Sequence, residues 1–357
     1  MKIPVLITGV AGGVIGRQVM KALELAKNNY KIITCDINPN SLGLYLANNS
    51  YLVPKVTDKK YLNTIFKICK KENIQVVIPG SEQEMEKLCL LQKKFKSKGI
   101  LLLTNSPEVI KICQNKWLTN KFLEKNGFNF PKSYLPKNKN DTNVLPFPVI
   151  IKPVSGGSGS KGVFIAQDSS ELSFFIEYLF KQGSKAIVQE YIGSPDEEYT
   201  IGVLHSLEGE HLGTFVLKRI VKLGLSTKSS VRDYYNSQVY TISSGISQGI
   251  VNDYPEISTF ALKLAKLIKS KGPLNIQCRK EKNKIFVFEI NPRFSGTTSI
   301  RALCNYNEPD ILIRKHLLKE KIKKIKIKKG IVLRDLENYF IPSLKYESLI
   351  KYEKLKS

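Results

Sequence analysis

The sequence predicts a mixed architecture: an α/β domain with a parallel sheet over residues 1–105, then an α+β region built on antiparallel sheet. Three observations predict it. Apolar strand-like runs alternate with amphipathic helical stretches as far as residue 105, which is the pattern of parallel βαβ winding. At residue 106 that alternation gives way to two short helices, a Pro- and Asn-rich connection and a glycine-serine loop. Beyond these lie several long strands joined by short turns, which pair antiparallel. At 357 residues the chain exceeds one ordinary core, so two or three domains are expected.

The first strand, 3–9, enters a glycine-rich turn and a helix over 15–27 within "VLITGVAGGVIGRQVMKAL". Asp36 ends the next strand, 31–36. This resembles a dinucleotide-binding βαβ unit. The spacing of Gly9, Gly12, Gly13 and Gly16 is not G-x-G-x-x-G, however, and glycines there also serve a tight strand-to-helix turn. Strands at 74–79 and 100–104 and helices at 58–72 and 82–97 complete the first domain, with the short apolar piece "YLVPKV" between. After residue 105, two short helices end at Gly127. The strand "FPVIIKP" leads into the loop "VSGGSGSKGV", and a helix follows at 169–181. Next come the strands "KAIVQEYI", "EEYTIGVLHS", "HLGTFVLKRI" and "QVYTIS". The helix "PEISTFALKLAKLIKSKG" precedes a hairpin, "LNIQCRKEKNKIFVFEINPR", that turns at 280–284.

Three elements carry chemistry. In the hairpin, Glu289 and Asn291 are two apart and share a face. Gln277 on the partner strand reaches that face from a diagonal position. One carboxylate and two amide oxygens suit Mg²⁺, whose remaining ligands come from water and phosphates. Arg293 lies on the same side, and a Glu289–Arg293 ion pair is the structural alternative. The second element is Lys152, a lysine at the end of an apolar strand, where it needs an anion. Its loop, with Ser155, Gly156, Gly157, Ser158, Gly159 and Gly162, offers backbone N–H groups to phosphates and can close as a lid. A flexible hairpin loop is the alternative. Third, "IVQEYIGSPDEEYTIGVL" breaks a strand at a Gly-Pro turn between Glu190 and the pair Glu197–Glu198, as an interdomain nucleotide hinge does; two solvated glutamates are the alternative.

In their order and spacing these elements resemble the ATP-grasp superfamily, nearest to the modules of carbamoyl-phosphate synthase large subunits and stand-alone carboxylate–amine ligases. The resemblance covers roughly residues 1–330 and rests on "NKWLTNKFLEKNG", Lys152 with its loop, "VQEYI" with Glu198, and "NIQ…FEINPRF". It implies a Rossmann-like N-terminal domain (1–105), a small lid subdomain (106–192), a large subdomain with the metal site (193–330) and a C-terminal extension (331–357). It implies that Lys116 and Lys152 contact ATP, that Glu190, Tyr191 and Ile192 form the adenine hinge and that Glu198 holds the ribose. Gln277, Glu289 and Asn291 would bind Mg²⁺, or Mn²⁺, and Arg293 would orient the acceptor. Lys218 would help at the phosphates. "STKSS" (226–230) falls where relatives carry a mobile loop. Family members often have Asp where this chain has Asn115. The implied reaction activates a carboxylate as an acyl phosphate and couples it to an amine, with small molecules as partners. A homodimer is expected by analogy alone.

Composition sets the competing readings. The net charge is +25, with lysines spread along the chain and densest in "KEKIKKIKIKKG" (319–330). A solvated basic strand or helix end explains that run; a nucleic-acid surface is the sharper alternative, weakened by the lack of interleaved aromatics. An NAD(P)-dependent epimerase or reductase would need a mid-chain Tyr-xxx-Lys pair, and that spacing occurs only at Tyr51–Lys55 and Tyr352–Lys356. The six cysteines form no C-x-x-C pair and read as reduced, buried thiols. His205, His211 and His316 form no metal-ligand spacing. With no run of about 18 apolar residues and no cleavage site after the first strand, a cytoplasmic protein is expected.

Overall fold

The structure is a computed structural model, and it describes residues 2–11, 15–142, 145–156, 158–222, 224–234, 236–335 and 347, 348 and 350. Gly12, Gly13, Gly157, the side chain of Ser158 and most of the expected C-terminal extension lie outside the described residues.

The first sheet is parallel. Its strands are β1 (Ile3–Thr8), β2 (Tyr30–Asp36), β3 (Asn49–Leu52), β4 (Val76–Pro79) and β5 (Leu101–Leu102), in the order β3-β2-β1-β4-β5. Helices α1 (Gly16–Glu24), α2 (Gly43–Leu46), α3 (Tyr61–Lys71), α4 (Glu82–Cys89) and α5 (Gln92–Ser97) connect them. The single helix expected over 82–97 is two, because the chain leaves helical hydrogen bonding at Leu90 and Leu91. Gly16 is required by packing: a Cβ there would sit 2.5 Å from the Gly9 carbonyl oxygen. This is the close strand-to-helix approach that the turn was read to serve.

The helices α6 (Pro107–Gln114) and α7 (Lys116–Lys125) come next, followed by a four-stranded antiparallel sheet. Its strands β6 (Ser133–Tyr134), β7 (Val149–Pro153), β8 (Phe164–Ala166) and β9 (Ala186–Glu190) lie in the order β6-β9-β7-β8. Helix α8 (Ser169–Lys181) covers one face, through Leu172, Ile176 and Leu179 against Val149 and Ile151. The other face, with Ile150 and Lys152, is left for the cleft.

The third sheet has six strands, joined antiparallel. They are β10 (Glu198–His205), β11 (His211–Arg219), β14 (Gly249–Val251), β15 (Gly272–Glu281), β16 (Lys284–Asn291) and β17 (Gly330–Val332), in the order β16-β15-β10-β11-β14-β17. Strands β12 (Thr227–Arg232) and β13 (Val239–Ser243) form a separate hairpin; β13 is the expected strand "QVYTIS", and β12 stands where the sequence led us to expect a loop. Alternation divides the large sheet into two faces. Ile201, Val203, Ile276, Cys278, Val287 and Ile290 face α9 (Pro255–Leu267). Val109, Cys113 and Leu123 of α6 and α7 join that same core, so these two helices pack with the large sheet, although the sequence grouped them with the lid. On the opposite face Leu204, Phe215 and Leu217 pack with Val5 and Ile7 of the first sheet and with Ile300 and Ile311 of α10 (Thr298–Leu303) and α11 (Glu308–His316). The remainder of that face is polar and forms the floor of the cleft.

In the basic run 319–330, Ile322, Ile325 and Ile327 pack against this shared core, while Lys321, Lys323, Lys324 and Lys326 line an open surface pocket beside them. The alternation is therefore one of anchoring and solvation. No helix among the described residues is long and apolar enough to cross a membrane.

Candidate active site

The cleft lies between the four-stranded sheet and the polar part of the six-stranded sheet, with a cavity volume of about 110 Å³. It is lined on one side by Ile150, Lys152, Val163 and the β9 end at Glu190, Tyr191 and Ile192. The other side presents Glu198, Gln277, Phe286, Phe288 and Glu289. A second, smaller cavity adjoins it at Lys116, Gly156, Glu289 and Asn291, and there Glu82 of the N-terminal domain also faces in.

Register explains the metal-type ligands. Gln277 pairs directly with Glu289, and Asn275 with Asn291. Gln277 is thus opposite Glu289, not diagonal to it. A β-bulge follows, so that Cys278 opposes Val287. The extra residue lets Phe286, Phe288 and Glu289 all reach the cleft while Val287 and Ile290 stay in the core. The bulge also frees the Phe288 carbonyl, which accepts a hydrogen bond from Lys152 Nζ at 3.2 Å.

Lys152 and Lys116 make the cleft electropositive. Burial drives the Lys152 ammonium down to about 7; the charge of Lys116 adds to the shift and Glu289 opposes it. Burial lowers Lys116 as well, against the pull of Glu289 and Glu82. Of the cleft carboxylates, Glu198 is taken up by Arg219 and Arg279 and Glu190 lies beside Lys132, so two lysines facing Glu289 leave charge to be neutralised by a polyanion. Lys116 is fixed by the start of α7: Asn115 caps that helix, its Oδ1 accepting from the backbone N–H groups of Trp117 and Leu118 at 3.0 and 3.1 Å. An asparagine caps as well as an aspartate does, which accounts for its tolerance here.

The loop after β7 adopts left-handed conformations at Gly156 (φ 73°), Gly159 (φ 68°) and Gly162 (φ 71°). A Cβ at Gly156 or Gly159 would meet open space, so backbone conformation rather than room calls for glycine there. The loop is tied down at both ends. Ser155 bridges to Asn115, and Lys116 Nζ donates to the Gly156 carbonyl at 3.0 Å. Ser160 Oγ donates to the Ser243 carbonyl of β13 at 2.7 Å. The β12–β13 hairpin thus straps the cleft, placing Thr241, Ile242 and Ser243 in its wall. Sequence reasoning missed these residues.

Two expectations change. Lys218 does not reach the cleft. It pairs with Tyr199 in the β10–β11 ladder, so it shares the α9 face with Tyr199 and bonds Glu197. Its neighbour Arg219 points into the cleft floor. Glu198 is also less available than a ribose ligand needs to be. It is 1% exposed, and its oxygens accept from Arg219 Nη1 at 2.8 Å and Arg279 Nε at 3.0 Å. Burial alone would raise its carboxyl; the two guanidiniums reverse the sign and hold it below the ordinary carboxylate range. Arg279 was legible by strand period, two residues after Gln277. It also stacks over the Tyr191 ring, 4.9 Å from the centroid.

Arg293 does not pair with Glu289. Its Nη2 and Nε donate to Glu82 Oε1 at 2.7 and 3.2 Å, and Nη2 also donates to Asn291 Oδ1 at 3.1 Å. Glu82 is the first residue of α4, at the carboxyl edge of the parallel sheet where open α/β folds present their loops. In the glycine turn, Asp36 is occupied by the backbone, its Oδ2 accepting from Ala11 N at 2.6 Å and its Oδ1 from Asn38 N at 3.0 Å. A carboxylate so committed does not present itself to a dinucleotide ribose.

Comparison with known proteins fits this geometry. Residues 113–297 match the ATP-grasp domain. The chain belongs to the ATP-grasp family. Residues 5–103 match the PylC-like N-terminal domain. The carbamoyl phosphate synthase large chain of Clostridium beijerinckii is 26% identical over 287 residues, which cover 78% of this chain and 25% of that one. This ATP-grasp chain therefore spans about a quarter of the length of those relatives. The D-alanine–D-alanine ligase of Fusobacterium nucleatum is 29% identical over 218 residues, 60% of this chain and 67% of the ligase. Among solved structures, the biotin carboxylase of Campylobacter jejuni in complex with βγ-ATP superposes with a TM-score of 0.64 at 17% identity, covering 91% of this chain and 73% of the other. That likeness is one of fold.

The donor set fits a nucleotide with a divalent cation. Among the described residues no group of three His, Cys, Asp or Glu could hold a metal by itself. One carboxylate, Glu289, with the amides Gln277 and Asn291, suits Mg²⁺ or Mn²⁺ that completes its shell from phosphates and water.

Proposed function

We propose that this protein is an ATP-dependent carboxylate–amine ligase acting on small molecules, with Mg²⁺ or Mn²⁺ held by Gln277, Glu289 and Asn291 together with the nucleotide phosphates. The observation that carries it is the convergence of Lys116, Lys152 and Glu289 on one cleft that joins, through Lys116, Phe288 and Glu289, the cavity lined by Glu82 and Asn291, the two residues that Arg293 bonds. The apolar slot beside Tyr191 and Ile192 takes the adenine, and the glycine loop and the two lysines take the phosphates. The bound cation neutralises charge on the transferring phosphoryl group.

In the first step a carboxylate oxygen of the acceptor attacks the γ-phosphorus, and the bond to the β,γ-bridging oxygen breaks to release ADP. In the second, an amine nitrogen attacks the acyl carbon, phosphate leaves, and the nitrogen loses a proton. Positioning and charge neutralisation supply most of the catalysis, and no side-chain nucleophile is needed. Arg293 turns from Glu82 to the acyl oxygen atoms. Glu198 acts through the positions of Arg219 and Arg279 at the edge of the nucleotide slot; with its oxygens already bonded, it is a positioning residue. The glycine loop, strapped to β13, excludes water from the acyl phosphate. We read the protein as cytoplasmic and, by analogy, as a homodimer.

The experiment is release of ADP and phosphate across a matrix of small acids and amines. A productive pair supports the reading, and Glu289→Ala should then lower turnover by about 10²-fold or more. Turnover that survives in Glu289→Ala would contradict the metal assignment. Release of ADP with no acid present would contradict the reaction.

A further inference from the structure

A charged side chain withdrawn from water needs an opposite charge, and the described arginines obey that rule with one exception. Arg17 meets Glu24, Arg219 and Arg279 meet Glu198, Arg293 meets Glu82, and Arg301 meets Glu308. The exception is the half-buried Arg334, which follows β17. Its Nη2 donates to the Gly296 carbonyl at 2.5 Å, to Gln18 Oε1 at 3.0 Å and to Ser299 Oγ at 3.3 Å, and its backbone N–H to Gln248 Oε1 at 3.3 Å. All four acceptors are neutral. Burial lowers the Arg334 guanidinium to about 10, and the charge of Arg219 adds to the shift.

Its location connects it to the chemistry. Gly296 and Ser299 lie on the segment that leaves Arg293, and Arg219 belongs to the cleft floor. Gln18 is in the first turn of α1, a helix of nine residues whose first turn holds no acidic side chain and whose N-cap makes no side-chain hydrogen bond. The positive end of that helix and two guanidiniums therefore converge where the N-terminal domain meets the large sheet.

We propose that Arg334 binds an anionic group of the acceptor substrate, a carboxylate or a phosphate, distinct from the carboxylate that is activated. This rests on the ligase reading and narrows it: the acceptor carries at least two anionic groups, one at Arg293 and one at Arg334. The planar guanidinium suits either oxyanion through paired donors.

The test uses the full chain loaded with Mg²⁺ and a non-hydrolysable ATP analogue, so that the phosphate sites of the nucleotide are filled. Melting temperature is followed against inorganic phosphate, malonate, succinate and glutarate, with the corresponding diamides as neutral controls. An anion should raise the wild-type melting temperature, the diamides should not, and Arg334→Gln should weaken that anion at least tenfold while retaining its affinity for the analogue. Arg334→Lys, which keeps the charge but loses the fork, should fall between, and it carries the test if Arg334→Gln does not fold. Preference for phosphate over the dicarboxylates would assign a phosphorylated acceptor, and the reverse a dicarboxylate. Stabilisation of wild type by none of the anions, or equal affinity in Arg334→Gln, would overturn the proposal. Once an acid–amine pair is known, an unchanged KM for the acid in Arg334→Gln would overturn it too, yet leave the ligase reading standing.

Discussion

Lys152 is the residue whose state most depends on what fills the cleft. Buried beside Lys116, it titrates near 7 in the free protein. Above that pH the free side chain is mostly neutral, and a bound triphosphate restores its proton. Nucleotide binding should therefore take up protons at pH 8, and affinity should fall as pH rises through and beyond 7. Calorimetry in buffers of different ionisation enthalpy reads the uptake directly, and Lys152→Met should abolish it. Glu198 behaves oppositely. Its carboxyl is held below its ordinary range, so its contribution to stability is present above that range and is lost as pH falls through the lowered value. Glu198→Ala strands two buried guanidiniums and should cost about 3–5 kcal/mol in a urea titration. A loss well under that would mean the triad is not the anchor of the cleft floor.

Between elements, register decides which neighbour functions. In β11 the adjacent Lys218 and Arg219 face opposite sides of the sheet, so Lys218→Met should leave the KM for ATP within about twofold. Arg219→Met should destabilise the fold and remove nucleotide binding with it. The sequence displayed both side chains but not the pairing, and the lysine was the natural choice for a phosphate contact. Period-two alternation was legible wherever both strands were evident, which is why Gln277, Glu289 and Asn291 were found together. The bulge after Gln277 was not legible, because nothing in "FVFEIN" marks where one residue is skipped. Nor was β12, which pairs with β13 to make the strap. Its polar "STKSS" lacks a strand's apolar alternation, and the strap's place is set by Ser160 and Tyr191, both distant in sequence.

At the scale of the molecule, the N-terminal domain is fused to the ligase core. Val5 and Ile7 share a core with Phe215, Phe294 and Ile311. Across the same boundary Asp310 accepts from Tyr30 Oη at 2.6 Å and from Asn28 Nδ2 at 2.9 Å. Unfolding should thus be a single transition, with the fluorescence of Trp117, the only tryptophan, coinciding with the far-ultraviolet signal. Two separated transitions would show that the domains are independent. The same fusion brings Glu82 to Arg293. The central claim is carboxylate activation, and one measurement tests it most directly. A productive acid labelled with ¹⁸O in its carboxylate is turned over with ATP, Mg²⁺ and the amine, and the released phosphate is weighed by mass spectrometry. Transfer of one ¹⁸O atom to each phosphate is the expected result; phosphate free of label, formed at the rate of amide product, would contradict the acyl phosphate.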